Sequence, residues 1–539
     1  MMDFPLTIPA IVRRAETLFG AKRIASRRAD RSISHATYAE MLSRVRRLAA
    51  VLRGLGVRPG DRVATLAWAS QEHLEAYLAI PSIGAVLHTL NLRLHHDDLI
   101  YIVNDAQDRV VLVDECLLPL WEKVRPHVDV EHVIVWTRSS PTGPGEYLDY
   151  ESALAAADAD RSEETLDELD AAAMCYTSGT TGRPKGVLYS HRAIVLHSFC
   201  LALPDALNLS ERDTILPVVP MFHVNAWGLP FAATMLGANQ VLPGPLLDPA
   251  SVLELIAKER VTFTGGVPTV WLGVLQELGR NPGAHDVRTL RTIAVGGSAA
   301  PPAMMKAYKE RYGISVLHVW GMTEMTPLGT VCNLPSSLAG ASDAAQFRYL
   351  TKQGAPMPFV ETRARGDNGL VPWDGQTMGE LEVRGPWVAA RYYNTKGPDA
   401  RFTDDGWFRT GDIVTIDASG CIEIADRDKD LVKSGGEWIS SVALENALMG
   451  HPAVAEAAVV AVPHPKWDER PLAVVVLREG KCASCDELIG YLAPNFAKWW
   501  LPDAIEFASE IPRTSAGKFK KSVLRERYQQ RYRERGDAG

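Results

Sequence analysis

"YTSGTTGRPKG", residues 176–186, holds three threonines, one serine, three glycines and one lysine in eleven positions. That mixture makes a poor helix and a poor strand. The apolar "AAAMC" at 171–175 runs straight into it, so a strand is predicted to end where the loop begins. Backbone N–H groups in such a loop, with hydroxyls beside them, form a cradle for phosphate oxygens. Lys185 adds a charge that can follow terminal phosphates. The Walker A pattern GxxxxGK[ST] is excluded, because Pro184 stands five residues after Gly179 and Gly186 follows the lysine. Taken alone, the loop reads better as a surface turn with no ligand, and its meaning depends on partners elsewhere in the chain.

Outward from the loop, short apolar runs alternate with amphipathic helical patterns. "RVATLAW" (62–68), "RVVLVD" (109–114), "HVIVW" (132–136), "TILPVV" (214–219) and "TIAVGG" (292–297) read as buried strands. Tyr38, Met41, Leu42, Val45, Leu48 and Leu52 make one apolar helix face, and Gly54 and Gly56 stop that helix. The alternation predicts α/β layers with largely parallel sheets and ligands at the carboxyl ends of strands. Near Asp426 the texture changes: "ADRDKDLVKSGGEW" (425–438) is charged, then glycine-rich. It lies between a hairpin-like "GCIEIAD" (420–426) and a new helix at 441–449. "AVAEAAVVAVP" (453–463), "RPLAVVVLRE" (470–479) and a helical "DELIGYLAP" (486–494) then suffice for a small α+β domain. The division predicted is 1–425, a hinge at 426–430, and 431–539.

Composition narrows the function classes. A chain of 539 residues exceeds one ordinary core, so about two or three domains are predicted. The net charge of -8 argues against nucleic-acid binding. Residues 224–247 carry no charge, yet three prolines, three glycines, two asparagines and a glutamine disqualify them as a lipid-facing helix. They read as buried core or the lining of an apolar cavity. The opening "MMDFPLTIPAIVRR" lacks the pattern of a signal peptide, and the seven scattered cysteines fit a reducing, cytoplasmic compartment. Cys482 and Cys485 form a CxxC without a second pair, an incidental spacing rather than a zinc site. No stable membrane insertion is predicted.

The loop does have partners. "GGSAAP" (296–301), "VWGMTE" (319–324), "WFRTGD" (407–412), "DRDKDLVKSGGEWIS" (426–440) and "PRTSAGK" (512–518) follow it in order. Together with the loop they resemble the signatures of adenylate-forming enzymes: acyl-CoA synthetases, firefly luciferase and peptide-synthetase adenylation domains. Through "VVPMFHVNAWGLP" (218–230) and "KSGGEWIS" (433–440) the chain looks most similar to bacterial fatty-acyl-CoA synthetases and 3-methylthiopropionate-CoA ligases. The resemblance implies a large N-terminal domain of layered sheets and helices with a small mobile C-terminal domain. It implies a two-step reaction: carboxylate and ATP give acyl-AMP and pyrophosphate, and coenzyme A then releases AMP.

The site residues implied follow the motifs. Thr177, Ser178, Gly179, Thr180, Thr181, Gly182 and Lys185 would meet the phosphates, with Thr177 and Glu324 as ligands of magnesium. Gly296, Ser298, Val319, Trp320, Gly321 and Met322 would frame the adenine; Trp320, where tyrosine is usual, would stack on it. Thr323 would touch the α-phosphate, and Asp412, assisted by Arg427, the ribose hydroxyls. Lys518 would bridge carboxylate and phosphate during adenylation; otherwise Lys518, Lys520 and Lys521 are one solvated basic cluster. Lys433, Gly435 and Trp438 would serve coenzyme A, on the opposite face from Lys518, with Lys429 as the hinge that exchanges them.

His223, Val224, Trp227 and Gly296 would line the acyl pocket, Trp227 as its gate; for His223 a structural role is the alternative. Asp426 and Ala516 depart from the common glycine and serine, and neither is predicted to matter. A homodimer is implied by resemblance alone. Other readings are a short-chain thioether acid as substrate, a luciferase-like oxygenase, and a non-catalytic acyl or nucleotide sensor.

Overall fold

A computed structural model describes residues 1–136, 147–159, 162, 164–177, 183–434, 437–513 and 519–532. The apolar runs do become buried strands, and among the described residues they assemble into four sheets. One sheet of seven strands has a parallel core, Arg62–Leu66 lying between Asp108–Asp114 and Val86–Thr89. A second, of nine strands, has Phe263–Gly266 between Thr214–Pro217 and Thr292–Val295, all parallel. Helix Tyr38–Gly54 buries the six apolar residues that its spacing marked. Thr37 and Glu40 close its start with a reciprocal capping box.

Two local features differ from a simple strand-helix alternation. The strand Ala171–Tyr176 is followed by Gly186–Ser190 in antiparallel pairing, so the phosphate-type loop crowns a hairpin rather than opening a helix. The turn Val224–Trp227 is left-handed: its φ values are 45°, 52°, 52° and 56°, and Gly228 follows at 73°. Left-handed backbone costs an L-residue roughly 1–2 kcal/mol, so surrounding structure must hold this turn. The rest of the uncharged stretch is core, as helix Leu229–Leu236 and strand Asn239–Leu242.

A third sheet, antiparallel throughout, runs from Glu361–Gly366 to Ile422–Arg427. The chain then enters a fourth sheet at Val432–Ser434, completed by Glu437–Ile439, Val454–His464, Asp468–Leu477 and Ala504–Phe507. This smaller α+β domain has its own core, with Leu444, Leu448, Val459, Val475 and Leu488 fully buried. Large and small domain together make the mixed α/β fold that the alternation predicts.

One expectation about charge needs correction here. Lys521 is no part of a solvated cluster: its side chain is 10% exposed and its ammonium lies 2.7 Å from Glu445. Asp426 is buried nearby. It is 1% exposed and accepts two hydrogen bonds from Ser441, because burial obliges a carboxylate to find donors. Among the described residues no helix is long and apolar enough to cross a membrane.

Candidate active site

A cavity of about 960 Å³ opens between the carboxyl ends of the large-domain strands and the small domain. Sixteen of the residues singled out in the sequence line it: Thr177, Lys185, His223, Val224, Trp227, Gly296, Ser298, Val319, Trp320, Gly321, Met322, Thr323, Glu324, Asp412, Arg427 and Lys429. Lys433 and Trp438 are not among the lining residues; they face each other across a small hairpin, where the Lys433 N–H donates to Glu469 at 2.9 Å. Ser178, Gly179, Thr180, Thr181, Gly182, Gly435 and Lys518 lie outside the described residues. Arg513 and Phe519, on either side of the segment that holds Lys518, do line the cavity.

At one end of the cavity the loop is pinned at its neck. The Thr177 N–H donates to the Lys185 carbonyl at 2.9 Å, and the Lys185 N–H to the Thr177 hydroxyl at 3.1 Å. The Lys185 ammonium pairs with Asp399 at 2.7 Å and sits 4.5 Å from the centre of the Tyr392 ring. The Tyr392 hydroxyl in turn donates to Glu324 at 2.6 Å. Burial, with the Glu324 carboxylate beside it, pushes the Tyr392 pKa up, so the hydroxyl keeps its proton and stays a donor. Glu324 is 5% exposed, and among the described residues its second oxygen has no hydrogen-bond donor. A carboxylate with one oxygen steadied and the other left for a ligand suits a hydrated magnesium ion.

In the middle, Asp412 is held from two sides. Trp320 Nε1–H donates to one carboxylate oxygen at 2.9 Å, and Arg427 Nε meets the other at 2.6 Å from directly across the strand pair. The indole therefore does more than offer a face to a base: its edge fixes the acid. It fits only because residue 329 is glycine, where a Cβ would lie 2.5 Å from the ring. A Cβ on Gly296 would come within 2.8 Å of Val319, which keeps this wall flat.

At the other end the left-handed turn lays the Trp227 ring against two glycines. Cβ atoms on Gly265 and Gly296 would lie 3.5 and 3.3 Å from it. Leu201, Leu207, Leu272 and Leu328 extend an apolar wall beside Val224. His197 braces the turn from behind: its Nε2 accepts the Leu328 N–H at 3.3 Å, and a Cβ on Gly228 would lie 2.7 Å from its Nδ1. Burial lowers the His197 pKa to about 3, so the ring is neutral. After the last strand of the third sheet, burial lowers the Lys429 pKa, and Arg427, Arg525 and Arg401 add to the effect.

The AMP-binding enzyme family matches residues 18–393, and the AMP-binding enzyme C-terminal domain matches residues 443–518. The chain belongs to the AMP-binding enzyme family. Within it, the long-chain-fatty-acid–CoA ligase of Thermus thermophilus is 52% identical, the match covering 99% of this chain and 97% of that protein. The 3-methylmercaptopropionyl-CoA ligase of Ruegeria pomeroyi is 44% identical over 98% of each. Among solved structures, an anthranilate CoA ligase in complex with anthranoyl-AMP superposes with a TM-score of 0.86 at 26% identity, covering 97% of this chain and 98% of that one. In this AMP-binding enzyme sixteen of the residues marked in the sequence line one cavity, while Lys433 and Trp438 do not. Sequence reasoning missed Tyr392, Asp399 and His197, all supplied by elements remote from the motifs they support.

Proposed function

We propose that this AMP-binding enzyme is an ATP-dependent acid–CoA ligase for apolar carboxylic acids of the medium- and long-chain fatty acid class. A carboxylate oxygen attacks the α-phosphorus of ATP and expels pyrophosphate; the coenzyme A sulfur then attacks the acyl carbonyl and expels AMP. Both partners in the first step are anions, so the protein must set cations and oriented dipoles where charge gathers. Lys185 and the loop neck serve the phosphates, Asp412 receives the ribose hydroxyls, and Lys518 bridges carboxylate and phosphate. Glu324 and Thr177 hold magnesium, which when bound neutralises phosphate charge. The apolar wall around Trp227 takes the acyl chain and keeps water from the carbonyl.

Residues 1–425 form the adenylation domain, 426–430 the hinge about Lys429, and 431–539 the domain that brings first Lys518 and then the Lys433–Gly435–Trp438 segment. The presence of Arg513 and Phe519 in the cavity wall, with Lys433 outside it, supports reading this arrangement as the acid-activating one. A homodimer and a cytoplasmic location complete the proposal, resting on resemblance and on seven free thiols.

One observation carries this reading. A single cavity joins the Glu324 carboxylate, the Trp320–Asp412 pair and an uncharged wall ending at Trp227. The test is pyrophosphate release with magnesium-ATP across a series of acids, from 3-methylthiopropionate through long-chain fatty acids. Release that rises with chain length supports the proposal. Release confined to the short thioether acid would move the substrate to the alternative, and none with any acid would overturn it.

A further inference from the structure

The hinge carries a contact that the two chemical steps do not use. Asp426 lies on the last strand of the third sheet, next to the Arg427 that pairs with Asp412. One of its oxygens accepts from the Ser441 N–H at 2.7 Å and from the Ser441 hydroxyl at 2.5 Å. The other accepts from the N–H of Arg427 at 2.8 Å. Ser441 begins helix Ser441–Met449 of the small domain, whose N-cap is Ser440, so a carboxylate on the last strand of the third sheet takes that helix's first N–H. The same hydroxyl accepts from the Lys521 ammonium at 2.6 Å, and that ammonium pairs with Glu445 at 2.7 Å. Asp426, Ser441 and Glu445 are all buried.

The cluster is sensitive to domain orientation. If the small domain turns about the hinge, Ser441, Lys521 and Glu445 travel together, while Asp426 stays with its strand. The break falls at the Asp426–Ser441 contact, where charge-assisted hydrogen bonds are lost, and at the neutral bond from the Ser440 hydroxyl to the Ala425 carbonyl.

We propose that Asp426 is a positioning residue: it latches the small domain in the acid-activating orientation and lets go for the coenzyme A step. The proposal rests on the two-step reading above. Two variants test it without emptying the site: Asp426→Asn keeps the shape and removes the charge, and Ser441→Ala removes only the hydroxyl. Acyl-AMP formation is timed in a single turnover without coenzyme A, and thioester formation is timed from supplied acyl-AMP.

Both variants are expected to slow the first step by about tenfold, the scale of one charge-assisted hydrogen bond, with the second step changed by less than about twofold. In parallel, the interdomain distance distribution is measured with paired spin labels on the substrate-free full chain, and both variants are expected to broaden it. Equal slowing of both steps, or an unchanged distribution in both variants, would overturn the latch. If the unmodified enzyme forms no acyl-AMP, the functional reading fails by itself and the distance measurement still decides the latch.

Discussion

Trp320 donates its indole N–H to Asp412 across 2.9 Å, inside a wall where both residues are almost wholly buried. With Arg427 on the other oxygen, Asp412 can rotate little, and in the proposed role its lone pairs are already aimed when the nucleotide arrives. Preorganised acceptors of this kind bind without paying for their own ordering.

Trp320→Phe keeps an aromatic face and deletes the donor. The KM for ATP is expected to rise about tenfold, as for the loss of a hydrogen bond to a charged group, with a smaller effect on kcat. Steady-state kinetics at saturating acid check this. An unchanged KM for ATP would mean that the indole serves only as a packing surface.

Tyr392 steadies Glu324 from behind, as outer partners do for metal-holding carboxylates. Tyr392→Phe is expected to raise the half-saturating magnesium concentration by about tenfold while the fold persists. A magnesium titration of pyrophosphate release, beside a circular dichroism spectrum, reads both. An unaltered magnesium requirement would separate Tyr392 from the metal.

His197 gives a pH dependence of stability. Its folded pKa of about 3 lies below the ordinary value of 6.5, because burial disfavours the charged ring. Between those values the unfolded chain takes a proton that the folded chain refuses, so stability falls as pH falls from 6.5 toward 3. Glu75 and Glu445, each pushed up to about 7 by burial, act in the opposite sense over the range above their ordinary 4.5. The contribution of His197 is therefore read as a difference between proteins. Urea unfolding at pH 7 and pH 5 should show a shallower loss for His197→Gln than for the unmodified chain, by up to about 1.4 kcal/mol per pH unit. Parallel pH profiles would contradict the assignment.

Lys518→Ala is expected to slow acyl-AMP formation by about 100-fold or more, the scale of a lost charge stabiliser in a transition state. Thioester formation from supplied acyl-AMP should change by less than about threefold. Separate single-turnover measurements decide, and equal losses in both steps would remove Lys518 from its proposed role.

The legible parts of this protein were those written in contiguous residues. The strand before the loop, the helix face from Tyr38 to Leu52 and the presence of a smaller C-terminal domain all carry local periodicity or composition. Strand Gly186–Ser190 escaped notice because "GVLYS" alternates only weakly and gains its pairing from Ala171–Tyr176. The left-handed turn was invisible for a different reason: Val224 and Trp227 have no intrinsic taste for positive φ, and the turn is held by remote residues, Tyr77 and Cys175 bonding the Asn225 side chain and Gly265 and Gly296 lying against Trp227. Tyr392 and Asp399 lie far along the chain from the groups they serve, so no spacing announces them.

The central claim is that this cavity joins a carboxylate to AMP. The most direct measurement is mass spectrometry of the enzyme incubated with a fatty acid, ATP and magnesium in the absence of coenzyme A. Acyl-AMP should accumulate in amounts comparable to the enzyme and convert to acyl-CoA on adding coenzyme A. Conversion of acid to acyl-CoA with no acyl-AMP ever detected, or no product from any acid, would contradict it.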